Sequence, residues 1–490
     1  MLYGLIDPYI LEGLLAMGAG AAAPFALRIV QFLIAAAGFY LIYRTFSSLE
    51  SKISRFRAAS FTAAAVMSSA VILIESLEIT PEIVMFTAVS LLLYRLVTYR
   101  PSLKNSVILG VVFTLLAGSR PTAVMLGFPA VIILPEFFSR KSICRRFWRW
   151  IVAAVSISAS VLFAFPDLAP RTAVIAASVI VLAAVTVLSV VLDLRWRRTG
   201  AWKHLGIVLV SFTATLPLVF PNYFLHFPEL IRQTRQFYLD IVQPAGDPGV
   251  FFRQLFYSIL YITIAFPGIL SGLGLYAGLG AILSGRSSVS NYRLPLLFFL
   301  GTVPFFLFAI GKTDYQPRYL IPLMGFVFLL AAKGLTVLMR MRKVRVLLLI
   351  PLLLSCFQLY EIFSKKTHGG ILNAMYELSL LESPRVGATA LNPCLPELYS
   401  MEDDICWPLV PFVNGTDPVW RPEAVDHWIS FSPPPEDFAV IRSFDTGNEH
   451  ICRSIRSSRR PGWISLLYLI REPWIWRESP ATYLAERRRL

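Results

Sequence analysis

Residues 318–345 read RYLIPLMGFVFLLAAKGLTVLMRMRKVR, an apolar run opened by Arg318 and followed by Arg340, Arg342, Lys343 and Arg345. A helix needs roughly 20 apolar residues to cross the hydrocarbon core of a bilayer, and this run supplies them. Lys and Arg gather on the cytoplasmic side of membrane spans, so the cluster at 340–345 fixes the direction in which the segment crosses.

Working outward, the same unit recurs along most of the chain. Hydrophobic stretches lie near 25–43, 58–76, 81–99, 105–119, 121–138, 148–166, 172–192, 204–224, 255–284, 294–310, 318–338 and 345–363. The long apolar tract from 105 is divided at Ser119-Arg120-Pro121, because Arg is costly at the bilayer centre and Pro interrupts the helical ladder. Alternate connections are basic: Arg44, Lys52, Arg55 and Arg57; Arg95, Arg100 and Lys104; Arg140 to Arg149; Arg195 to Lys203; Arg286 and Arg293; Arg340 to Arg345. The connections between them carry Glu75, Glu78 and Glu82, then Arg120, then Asp167 and Arg171, then the long 225–254 loop, then Lys312 and Arg318. The basic set is read as cytoplasmic.

This pattern predicts a polytopic α-helical membrane protein of about 12 transmembrane helices with a small α/β or α+β domain at its C-terminus. Even parity places both termini outside, so residues 1–24 form an external juxtamembrane segment. Residues 25–363 form the transmembrane domain, and 364–490 form an extracytoplasmic domain. Residues 1–24 lack the basic leader and clean apolar core of a cleaved signal. The protein is expected in a cell inner membrane or plasma membrane as a multi-pass chain.

Composition agrees with this reading. The chain is 56% hydrophobic and 15% charged, with a mean hydropathy of +0.63. Soluble domains carry about 25% charged residues. The net charge of +15 sits mainly in the short basic loops, which marks topology and argues against a nucleic-acid partner. Of five cysteines, Cys144 and Cys356 fall in or beside spans. Cys394, Cys406 and Cys452 fall in the polar tail, where an oxidising exterior would permit a disulfide and Cys394–Cys406 is the closest pair. The tail also carries the sequon Asn414-Gly415-Thr416, a helical stretch at 370–381, a strand at Phe438-Ala439-Val440-Ile441 and a turn at Ser432-Pro433-Pro434-Pro435.

Ionisable groups at span ends mark functional sites in such proteins. Glu75-Ser76-Leu77-Glu78-Ile79-Thr80-Pro81-Glu82 is a short acidic hairpin on the outer side. One reading makes Thr80 a helix cap and the acids solvated. The other makes Glu78 and Glu82 holders of a divalent metal, or Glu82 the holder of a catalytic water. Arg120 opposes the positive-inside bias, and a guanidinium fork at headgroup depth suits a phosphate as well as it suits any lipid. Lys312 and Arg318 form a second outer basic cluster. The 225–254 loop carries Arg232, Arg235, Asp240 and Arg253 among aromatic residues, and its 228–241 part has the character of an interfacial helix.

Four stretches resemble the GT-C glycosyltransferases, in particular the branch of protein O-mannosyltransferases and lipid A aminoarabinose transferases. They are Gly18-Ala19-Gly20 with Pro24-Phe25-Ala26-Leu27-Arg28-Ile29, then Ile79-Thr80-Pro81-Glu82, then Leu115 to Pro121, then Tyr315-Gln316-Pro317-Arg318-Tyr319-Leu320-Ile321-Pro322. The resemblance spans roughly residues 15–340. It implies an inverting transferase that takes a hexosyl or pentosyl group from a polyprenyl-phosphate donor on the outer face. The acceptor would be a lipid, a glycan or a protein of the cell envelope. It also implies that Glu82 binds metal or donor and that Arg120, Arg318 and Lys312 hold the leaving phosphate. In that family the general base is an Asp in the first outer loop; here Asp7 is only a candidate in its place, and the likeness implies either a preceding span with its own acid or a degenerate member. Two other classes remain open: a multi-span transporter or flippase, and a non-catalytic protein of surface-polysaccharide assembly.

Overall fold

The computed structural model describes residues 23–119 apart from 51, 70–71 and 73–80, then 143–187 apart from 175, 179, 182 and 185–186. It continues with 201–219, 228, 232 and 244, then 246–354 apart from 285–288 and 313–316, and then 377, 386–388, 426–430, 436–445 and 481–488. The chain divides into two compact units, one holding Gln31–Ser355 and the other Cys356–Leu490.

The first unit is helical. Its elements are α1 (Ala23–Leu49), α2 (Arg55–Met67), α3 (Pro81–Val97), α4 (Leu103–Ser119), α5 (Ile143–Ala164) and α6 (Ala201–Val219). There follow α7 (Pro248–Leu260), a π turn (Tyr261–Ala265), α8 (Gly268–Leu283), α9 (Val289–Ile310), a 3₁₀ turn (Pro317–Leu323), α10 (Met324–Leu338) and α11 (Arg342–Leu347). Among the described residues, Ile29–Leu49 and Tyr319–Leu338 are long and apolar enough to cross a membrane; the bent pair Pro248–Thr263 and Gly268–Leu283 is a third if it counts as one span. Shorter apolar helices cover Leu103–Gly118, Trp150–Ala164, Lys203–Val219, Leu294–Ile310 and Val344–Leu354, where further spans were expected. The expected span 121–138 and the hairpin residues Glu75, Glu78 and Thr80 lie outside the described residues.

The opening stretch supplies the centre of this unit. Of the apolar window in Tyr319–Leu338, 94% is buried, as expected of a helix that is hydrophobic on every side. Helix α10 packs against α8, α2 and α3. Small residues permit the tightest of these contacts: Gly274 lies where a Cβ would stand 2.6 Å from the Ala331 carbonyl. A Cβ on Gly334 would fall on the Gly274 carbonyl oxygen and 2.5 Å from the Gly278 nitrogen. Packing through small residues is how helices associate where lipid supplies no hydrophobic drive. Helices α4 and α6 pair similarly. Ser106 Oγ is hydrogen-bonded to Tyr99 Oη and His204 Nδ1 at 2.8 Å each, and Thr114 to Thr215 at 2.6 Å.

Two expectations about spans change. The apolar stretch 255–284 is not a single helix, because α7 and α8 meet at 97°. The π turn, Pro267 and Gly268 at φ +74° make the corner, and all three are known causes of sharp helix bends. Helix α2 ends at Met67, short of the expected 76, because its end meets this corner. Ser68 Oγ donates to the Pro267 carbonyl at 2.9 Å, Ser69 Oγ donates to the Phe266 carbonyl, and Ser271 Oγ donates back to the Ala65 carbonyl. Carbonyls freed by a helix break need such donors wherever water is excluded.

An ion pair also crosses this unit. Glu50, just past α1, accepts from Lys333 Nζ of α10 at 2.5 Å and from Tyr292 Oη of α9 at 3.0 Å. The side chains of Lys333 and Glu50 are 10% and 14% exposed. Asn291 Nδ2 donates to the Leu49 carbonyl at 3.2 Å, which holds α9 against the end of α1.

The second unit contains a four-stranded sheet in the order β1-β2-β4-β3, from β1 (Val386–Ala388), β2 (His427–Ser430), β3 (Phe438–Asp445) and β4 (Ala481–Arg487). β1 runs parallel to β2; β4 is antiparallel to both β2 and β3. The strand expected at 438–441 is the first half of β3, which bulges between Val440 and Arg442. Trp428, Phe438 and Ala485 make its core, with the two rings 5.5 Å apart. The tail cysteines, the sequon and the 432–435 turn lie outside the described residues.

Candidate functional site

Helix α3 starts at Pro81, whose fixed φ and missing N–H suit the first helical position. Glu82 follows in the first turn, where the helix dipole favours a negative charge. The side chain is 1% exposed, so the reading of a solvated acid at the membrane surface is replaced by a buried carboxylate. Burying a carboxylate is costly unless it is paired or hydrogen-bonded. Helix α3 packs against the 3₁₀ turn Pro317–Leu323, and Arg318 lies in that turn. The fold thus brings the elements of Glu82 and Arg318 together from distant parts of the sequence.

Lys312 lies just beyond the end of α9. Its backbone pairs with Pro244 in an antiparallel bridge, and its carbonyl accepts from Gln254 Nε2 of α7 at 3.2 Å. Its ammonium stands 4.9 Å from the centroid of Phe308 and 5.6 Å from that of Tyr319. An ammonium over aromatic faces is attracted by the ring quadrupole, which replaces part of its hydration. Phe308 in turn meets Phe163 of α5 at 5.1 Å, and the Arg171 guanidinium stands 5.1 Å from the Phe163 centroid. Gly246 N donates to the Ala164 carbonyl at 3.1 Å, and Phe165 meets Phe251 at 5.3 Å, which joins the ends of α5, α7 and α9. Two cations therefore share one aromatic pair.

Arg171 was not among the residues singled out for phosphate binding. The signal was present: like Arg120 it is a basic residue on the side that topology leaves poor in Lys and Arg. The neighbouring Asp167 masked it by giving that loop a balanced charge. Asp7, Glu78 and Arg120 lie outside the described residues. Among the described residues no group of three or more His, Cys, Asp or Glu gathers as a metal site.

A family model described as dolichyl-phosphate-mannose-protein mannosyltransferase matches residues 5–165. The match supports a membrane glycosyltransferase of the GT-C superfamily, the class that the four sequence stretches resemble. Glu82 and Arg120 fall inside the matched region; Arg171, Lys312 and Arg318 fall beyond it. No curated protein and no solved structure matches the chain.

Proposed function

We propose that the protein transfers a sugar from a polyprenyl-phosphate donor to a lipid, glycan or protein acceptor at the outer face of the membrane. The observation that carries this reading is the packing of α3, with Glu82 buried in its first turn, against the turn that holds Arg318. In the reaction, the acceptor oxygen bonds to the anomeric carbon as the bond from that carbon to the phosphate oxygen breaks. The acceptor proton passes to a carboxylate, and polyprenyl phosphate leaves with the bonding electrons. Charge grows on the phosphate as that bond lengthens, so fixed cations act most strongly at that moment. Lys312, Arg318 and Arg120 are the cations assigned to it, with Arg171 added beside Lys312. Glu82 is the carboxylate assigned to the acceptor or to a divalent metal, with Glu78 as its companion ligand and Asp7 as the alternative base. The aromatic rings around Lys312 lower the local dielectric and strengthen its pull on an anion.

Purified protein with a synthetic polyprenyl-phosphate sugar and radiolabelled transfer as readout tests the assignment. Glu82→Gln is expected to lower kcat by about 100-fold or more, the range of general acid–base contributions. Lys312→Ala is expected to lower kcat/KM roughly tenfold or more, with the loss falling mainly on kcat, because the charge it meets grows in the transition state. Unchanged transfer by both variants would remove the site from this face.

A further inference from the structure

At the opposite end of α1 and α3, two more arginines lie around one tyrosine. Arg44 Nη1 donates to Tyr40 Oη at 2.8 Å and Arg44 Nη2 to Tyr94 Oη at 3.5 Å. The Arg44 guanidinium stands 5.9 Å from the Tyr94 centroid, and that of Arg95 stands 5.9 Å from the same ring. Neither arginine meets a carboxylate among the described residues, and the nearby Glu50 is engaged by Lys333 and Tyr292. Arg95 Nε is buried and donates to no acceptor. Two cations thus lie around one ring with no carboxylate partner among the described residues, an arrangement that favours a negative charge.

The setting specifies the source of that charge. Arg44 is near the end of the apolar helix Ile29–Leu49 and Arg95 near the end of α3, each followed by a basic connection. That is the depth of lipid headgroups. Ile29, Leu33 and Tyr40 are 47%, 59% and 54% exposed and lie on the helical face that Arg44 closes, so an apolar wall runs up to the cation pair. A free anion has no use for that wall, whereas a lipid covers it with its chains.

We propose that Arg44 and Arg95, set around Tyr94, bind the phosphodiester of an anionic phospholipid in the leaflet that the basic loops face. Tyr40 and Tyr94 hold Arg44 in the site through their hydroxyls. The site is separate from the outer-face chemistry and does not depend on it.

Full-length protein in nanodiscs of phosphatidylcholine, with increasing fractions of spin-labelled phosphatidylglycerol, tests this by the population of immobilised lipid. Wild type is expected to prefer phosphatidylglycerol, and Arg44→Ala and Arg95→Ala each to lower that preference about fivefold, the share of one basic residue near an anionic surface. Melting in pure phosphatidylcholine checks that each variant is folded. If the alanine variants do not fold, Arg44→Gln and Arg95→Gln replace them with the same two outcomes. Folded variants with wild-type preference overturn the proposal. Displacement of the labelled lipid by millimolar inorganic phosphate would overturn the commitment to a lipid and assign a small-anion site instead.

Discussion

Lys333→Met is expected to destabilise the protein by about 3–5 kcal/mol, the cost of leaving a buried carboxylate without its cation. The side chain being removed is 10% exposed, and the one left behind, Glu50, is 14% exposed. Tyr292 would still donate to Glu50, but one neutral hydroxyl does not replace an ammonium at 2.5 Å. Glu50→Gln should cost a similar amount by stranding Lys333 inside α10. The combined variant should recover a large part of both losses, since two neutral side chains of similar volume often replace a buried ion pair at little cost. Thermal melting of the four proteins in one detergent gives the cycle. Additive losses would mean that the two side chains do not act as a pair.

Gly334→Leu is expected to have an equally large effect by a different route. Its Cβ would occupy the position of the Gly274 carbonyl oxygen, and backbone atoms cannot yield as a flexible side chain can. Overpacking a tight core costs about 1–3 kcal/mol and more where the backbone must move. Here α8 would have to separate from α10 along the contact that Gly274 and Gly278 also form. Gly280→Leu is the control, because nothing lies within 4 Å of its added Cβ. A Gly334→Leu protein that melts with the Gly280→Leu protein would refute the close approach of these helices.

How much of this was legible depends on which residues wrote the signal. Helices α3 and α4 occupy Pro81–Val97 and Leu103–Ser119, close to the apolar stretches read at 81–99 and 105–119, because proline, arginine and serine punctuate them. Helix α9 and the stretch after Arg318 followed for the same reason. The 97° corner did not, since Pro267 and Gly268 sit inside an unbroken apolar run and hydropathy averages across the bend. Lys333 was hidden in the same way, one charge among apolar neighbours whose partner lies 283 residues earlier. Lys312 stood out as a basic residue in a connection that the charge alternation reads as the acid-bearing side. Its aromatic surroundings did not, because Phe163 and the Arg171 above it come from a different helix pair. Charge placement can be read from sequence, but the partner of a charge is decided by packing.

The corner between α7 and α8 sets a relation between this protein and the thickness of its bilayer. At 97° only one of the two helices can run along the membrane normal. The segments on either side of the bend, Pro248–Thr263 and Gly268–Leu283, each have 16 residues, so either one, if it crosses, covers about 24 Å. The hydrocarbon core is about 30 Å thick. The three serine hydrogen bonds that close the corner onto α2 oppose its straightening into a longer span. A crossing helix of that length can be accommodated by local thinning of the lipid, so membranes with shorter acyl chains are expected to take the bent pair with less deformation.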